Sequence, residues 1–209
     1  MPSSTPARRA LAPTRGRWRK VRALLAGGLV LGVGAAGTLA AWTDTEYAGS
    51  TFTSGTFGIV GATNGSTFSE HPAAPGATLT FAPTVGAMVP GSDSYGLFAV
   101  RTTSTSVAGT VTVSTAVSGA SNALTTSLRF GVRTISGTTC NAAAYSAGTV
   151  VVADGSTLTS PPTASPQSLA AAGADQQNYC FKLSLPSNAD NGAQGRSTTV
   201  QWTFAAQNS

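Results

Sequence analysis

Charge is what this chain of 209 residues has least of. Asp, Glu, Lys and Arg make up 9% of it, against about a quarter in ordinary soluble domains. Gly, Ser, Thr and Ala take their place, a surface closer to wall or matrix proteins than to cytosolic enzymes. Histidine occurs once, at His71, and cysteine twice, at Cys140 and Cys180. A zinc protease of the common type needs two histidines one helical turn apart with a glutamate between them, to hold the metal and activate its water. A serine hydrolase would have His71 as its only base, and no GxSxG elbow accompanies it. Glu70 and His71, ahead of Pro72, read as a solvated loop pair. No pattern among the seven acids nominates two carboxylates for glycoside hydrolysis. The expectation is a protein that is not an enzyme and has no cofactor and no metal site.

The formal net charge of +5 belongs to one end. Seven of the twelve cations are Arg8, Arg9, Arg15, Arg17, Arg19, Lys20 and Arg22. Beyond Gly37 there remain Arg101, Arg129, Arg133, Lys182 and Arg196 against all seven acids. A nucleic-acid partner would need a basic stripe with interleaved aromatics in the folded part, and none is present.

The cationic start has the three parts of an export signal. An n-region, residues 1–22, is followed by an apolar run from Ala23 to Ala41 and then at once by polar residues. Positive charge stays on the cytoplasmic side, so the C-terminal portion is exported. The run is long enough to span a bilayer, which leaves a retained anchor as the alternative. Five glycines within it lower helix stability by about 1 kcal/mol each relative to alanine. Thr38 and Ala40 stand where a signal peptidase reads before cutting. Cleavage between Ala40 and Ala41 is expected, giving a signal peptide of residues 1–40 and a secreted domain of residues 41–209 whose mature form does not span the membrane. Arg8 and Arg9 lie too far from the apolar run for twin-arginine export.

In an exported chain a cysteine pair reads as one disulfide. Closing its loop of about 40 residues stabilises by roughly 4 kcal/mol. The remaining pattern is that of strands. Val111 and Val113 alternate with Thr110, Thr112 and Ser114, and Tyr179, Phe181, Leu183 and Leu185 alternate with Cys180, Lys182 and Ser184. Val200, Trp202 and Phe204 alternate with Thr199, Gln201 and Thr203. A period of two is what a half-buried strand requires. Further strands are expected over 51–59, 78–81, 95–101, 128–133 and 149–152. Seven or eight short strands make a sandwich or a barrel. Pro90 and Gly91 predict a tight turn before a strand, Asp154 and Gly155 another after Val152, and the proline-rich stretch 160–168 a loop. One helical turn is expected in SLAAAGA.

Three segments, in order along the chain, resemble the TasA and camelysin family, exported proteins of Gram-positive bacteria with a SipW-dependent type of signal peptide. They are AAWTDTEYAGSTFTSGTFGI, with its TFTSGT element at residues 51–56, VPGSDSYGLFAVRTTSTSVAGTVTV, and AQGRSTTVQWTFAAQ at residues 193–207. The Arg-rich leader and the Ala-rich composition point to an actinobacterial member. The resemblance implies an all-β fold, a single jelly-roll-like antiparallel β-sandwich. It also implies secretion and a place on the cell surface or in a fibrous biofilm matrix. An extended segment carrying Trp42, Tyr47, Phe52 and Phe57 would add to an exposed sheet edge of a second copy, building fibres. The competing reading of Phe52 and Phe57 puts them in the protein's own first strand. Two other functions compete: a module that binds wall glycans, and a camelysin-like protease. Signal peptidase is a partner during export.

Overall fold

The computed structural model describes residues 15–37, 44–83, 88–118 and 120–209. Ala40, Ala41 and Trp42, which carry the expected cleavage site and the first aromatic of the strand-addition segment, lie outside the described residues. The chain divides into two units, Met1–Phe52 and Thr53–Ser209. Among its described residues the first holds one helix, Arg15–Gly37 (α1), whose residues 16–31 are exposed. Arg15, Arg17, Arg19, Lys20 and Arg22 fill its first turns. Among the described residues no helix is long and apolar enough to cross a membrane. From Asp44 to Phe52 the chain is exposed and has neither helix nor strand.

The second unit is built of antiparallel strands in two sheets. In chain order they are β1 (Ile59–Ala62), β2 (Phe81–Ala82), β3 (Ser92–Thr102), β4 (Gly109–Ser118), β5 (Arg129–Ile135), β6 (Thr149–Thr157), β7 (Gln167–Leu169), β8 (Gln176–Leu185) and β9 (Thr199–Asn208). The larger sheet has six strands in the order β1-β3-β8-β5-β6, with β2 also paired to β3; the smaller has three, β7-β4-β9. Two short helices, α2 (Ala123–Ser127) and α3 (Ala142–Ala147), join strands. Each starts at an asparagine: the Asn122 side chain accepts from the amides of Leu124 and Thr125, and that of Asn141 from the amide of Ala144. Such caps satisfy donors that the first helical turn cannot.

The inward residues of the two sheets meet in one core. Phe98, Phe130, Tyr179 and Phe181 from the large sheet and Val111 and Val113 from the small one are buried in it. Each large side chain so buried contributes about 1.5–3 kcal/mol. Half-buried Trp202 and Phe204 complete the contact between sheets. Trp202 lies 5.9 Å from the Phe81 ring and 4.8 Å from Phe181. Phe204 lies 4.9 Å from Phe98 and 5.0 Å from Tyr179.

Period two located β4, β8 and β9 because each lies with one face in this core, and the strands expected over 95–101 and 128–133 fall on β3 and β5. Four local expectations need correction, the first being the strand expected over 78–81, which starts only at Phe81 and runs to Ala82. The strand expected over 51–59 begins only at Ile59; before it, Thr56 makes a single bridge to Ser106. Asp154 and Gly155 do not reverse the chain. Gly155, at φ +78°, sits in a bulge of β6 where Phe130 faces Ser156 and Val132 faces Val152, so the extra residues bend the strand instead of ending it. The stretch 160–168 is a loop only as far as Pro166, since Gln167 and Ser168 pair with Val111 and Thr110. The Pro90–Gly91 turn is present, with Gly91 at φ +87° and the Ser92 amide donating to the Val89 carbonyl at 2.9 Å. A 3₁₀ turn at Ala171–Gly173 lies where SLAAAGA predicts one.

Candidate functional site

Six strands facing three leave part of the large sheet uncovered. The uncovered part is an apolar cleft of about 1330 Å³. Ile59, Phe81, Phe98 and Val100 come from the large sheet, and Val200, Trp202 and Phe204 from β9. Exposed Glu70, His71, Asp190 and Arg196 also line it. His71 is held by an edge contact with Phe98, 6.3 Å between ring centres, and by a hydrogen bond of Nε2 with the Ser69 hydroxyl at 3.2 Å.

The β9 side of the cleft is an open sheet edge. The Ser209 amide donates to the Ala108 carbonyl, which continues the register in which Asn208 faces Gly109. In an antiparallel pair, alternate residues direct both backbone groups to the same neighbour. The odd-numbered residues of β9 therefore bond to β4, while Val200, Trp202, Phe204 and Ala206 direct N–H and C=O away from it. Among the described residues nothing pairs with β9 on that side, and it ends its sheet there. The buried Trp202 Nε1 also has no partner among the described residues. Unpaired backbone beside an apolar trough is a template for one more strand.

Of the residues expected to supply such a strand, Tyr47 is 93% exposed and Phe52 92%. Phe52 therefore does not sit in its own protein's first strand, against the core reading of that residue. Phe57 is half-buried and reaches Gly109, where a Cβ would lie 2.6 Å from its ring. It belongs to the protein's own packing and is not free for a partner.

A second cluster lies on the outer face of the large sheet. The Tyr145 hydroxyl donates to Asp154 Oδ1 at 2.5 Å, and Arg133 pairs with Oδ2 at 2.9 Å. Lys182 pairs with Asp93 at 3.1 Å, beside Tyr95. Burial, with Asp154 second, holds the Tyr145 hydroxyl far above its ordinary range. Burial and then Asp93 raise that of Tyr95. For Asp154 burial acts upward, but Tyr145, Arg133 and Lys182 outweigh it and hold the carboxyl below its usual range. A phenol kept protonated against a carboxylate kept charged is a donor and acceptor at rest, with neither a free base nor a nucleophile. This cluster fastens α3 and β6 to the sheet.

Cys140 and Cys180 are joined, with Cα atoms 5.3 Å apart and χ3 at 83°. Cys180 is fully buried in the central strand β8. The disulfide anchors the start of α3 to the middle of the sheet. Among the described residues no three of His, Cys, Asp or Glu come together as a metal site would need. The Asn caps of α2 and α3 and the cleft itself escaped the sequence reading. Asn ahead of an alanine-containing run was a legible signal for the caps; the cleft has no local signal. No protein-family model matches the chain, and no curated protein matches it.

Proposed function

We propose that this chain is an exported, non-catalytic protein of the cell surface or extracellular matrix. Its sandwich takes up an extended strand from a second copy at the β9 edge and so assembles head to tail. The observation that carries this reading is the pairing of an open edge with an apolar trough, Val200, Trp202 and Phe204 supplying both. The donor in this reading is the exposed segment from Asp44 to Phe52, whose Tyr47 and Phe52 leave large apolar surface in water. Backbone bonds would give affinity and the trough would select side chains. A heterologous contact of this kind propagates as a filament where its rotation does not close a ring. The added strand would bring the smaller sheet to four strands. Membership of the TasA and camelysin family, with its signal peptide of the SipW-dependent type, accords with this role and rests on the three sequence segments.

Binding to wall glycans has no comparable support, since no Trp or Tyr is exposed among the described residues of the second unit. The reading is tested on the exported protein by electron microscopy and sedimentation velocity. Filaments are expected, with loss of filaments on Phe52→Ala or on deletion of residues 44–52. A strictly monomeric species at high concentration sinks it.

A further inference from the structure

Ala77–Phe81 has the pattern of a strand without its bonds. Ala77, Leu79 and Phe81 pack toward the core while Thr78 and Thr80 are exposed, the alternation of a half-buried strand. Ladder pairing nevertheless begins only at Phe81, opposite Gly96. Among the described residues no backbone hydrogen bond reaches residues 77–79. Side-chain contact alone holds this stretch in place, and it lines the same cleft as Val200, Trp202 and Phe204.

We infer that Leu79 is a placeholder: in the unpartnered protomer it occupies the apolar seat beside β9, and an incoming strand displaces it with Phe52 of the second copy. This rests on the strand-acceptor reading above and adds how the acceptor is kept closed. A paired strand cannot leave without breaking its ladder, whereas Ala77–Leu79 has no ladder to break. Its removal forfeits only the half-buried contacts of Leu79 and Ala77. The incoming segment matches such a seat, because in 48–54 the face carrying Phe52 otherwise presents Ala48, Ser50 and Ser54. One large ring flanked by small residues fits a seat vacated by one leucine. Competition from Leu79 lowers apparent affinity by the fraction of protomers that stand open.

The test uses the full chain carrying Phe52→Ala as acceptor, so that it does not supply its own donor, and a synthetic peptide of residues 44–54 as probe. Binding is followed by calorimetry. Leu79→Ala is expected to tighten peptide binding by roughly three- to tenfold, because the open fraction rises. Val200→Ala, which trims a permanent wall, is expected to weaken it. Amide exchange at Thr78 and Thr80 is expected to change on peptide binding, which also reports on a Leu79→Ala chain that folds poorly. Equal or weaker binding by Leu79→Ala, with an unperturbed exchange pattern, overturns the placeholder and leaves the acceptor reading standing. No binding of the peptide by any acceptor overturns both.

Discussion

Gly131 shows how a single residue shapes the outer face of the large sheet. A Cβ there would overlap the Tyr145 hydroxyl and the Asp154 carboxylate, so the bond between those two groups passes directly over β5 only because position 131 has no side chain. Gly131→Ala is expected to cost about 1–3 kcal/mol, the range for overpacking, read as a lower urea midpoint with unchanged m-value. Asp154 adds a pH dependence. Its carboxyl is held below the value of 3.8 that it has when unperturbed. A depressed folded-state pKa gives stability that is present above the unfolded value and lost as pH falls through the folded one. The urea midpoint should therefore stay level from neutral pH down to about 5 and fall below about 4. Asp154→Asn should flatten that acid limb, and an equally steep limb in the variant would assign it to other carboxylates.

At the scale of elements, strands with one buried face were legible and irregular pieces were not. β9 announces itself because Val200, Trp202 and Phe204 recur every second residue, and its inward face is the one that packs on Phe98 and Phe181. Residues 51–59 have the composition of a strand, yet only Ile59 joins the sheet. Local propensity cannot say whether a partner edge is within reach. β7 is hidden by its prolines: Pro166 stops just short of the Gln167 pairing with Val111. The disulfide is an element in its own right, since it ties α3 to β8 across a sequence separation of 40. Replacing Cys140 and Cys180 with alanine should remove about 4 kcal/mol. For a domain of this size that is a fall in Tm of roughly 10 °C, measured by calorimetry on the exported protein.

At the scale of the molecule, the mismatch between six strands and three creates the cleft, and strand addition is the chemistry that the cleft supports best. A charge placed on the open edge blocks such addition, as lysines do on natural edge strands. Val200→Lys is expected to leave the far-ultraviolet circular dichroism unchanged, because position 200 is only half-buried. In sedimentation it should give a monomer at concentrations where the parent chain assembles. Assembly undiminished by this change would remove the β9 edge from the interface.

By itself the sequence determined the charge asymmetry between the first 22 residues and the rest, the strand-forming character of five segments, the Pro90–Gly91 turn and the presence of a single cysteine pair. Each follows from short-range pattern: period two, a residue that fixes φ followed by one that admits positive φ, a count of thiols. Only the tertiary structure decided that β9 ends its sheet, that Leu79 packs without pairing, that Phe52 stays in solvent and that Cys180 sits at the centre of the larger sheet. These depend on which strands find one another across long separations, and strands with the same alternation are locally indistinguishable until their partners are chosen.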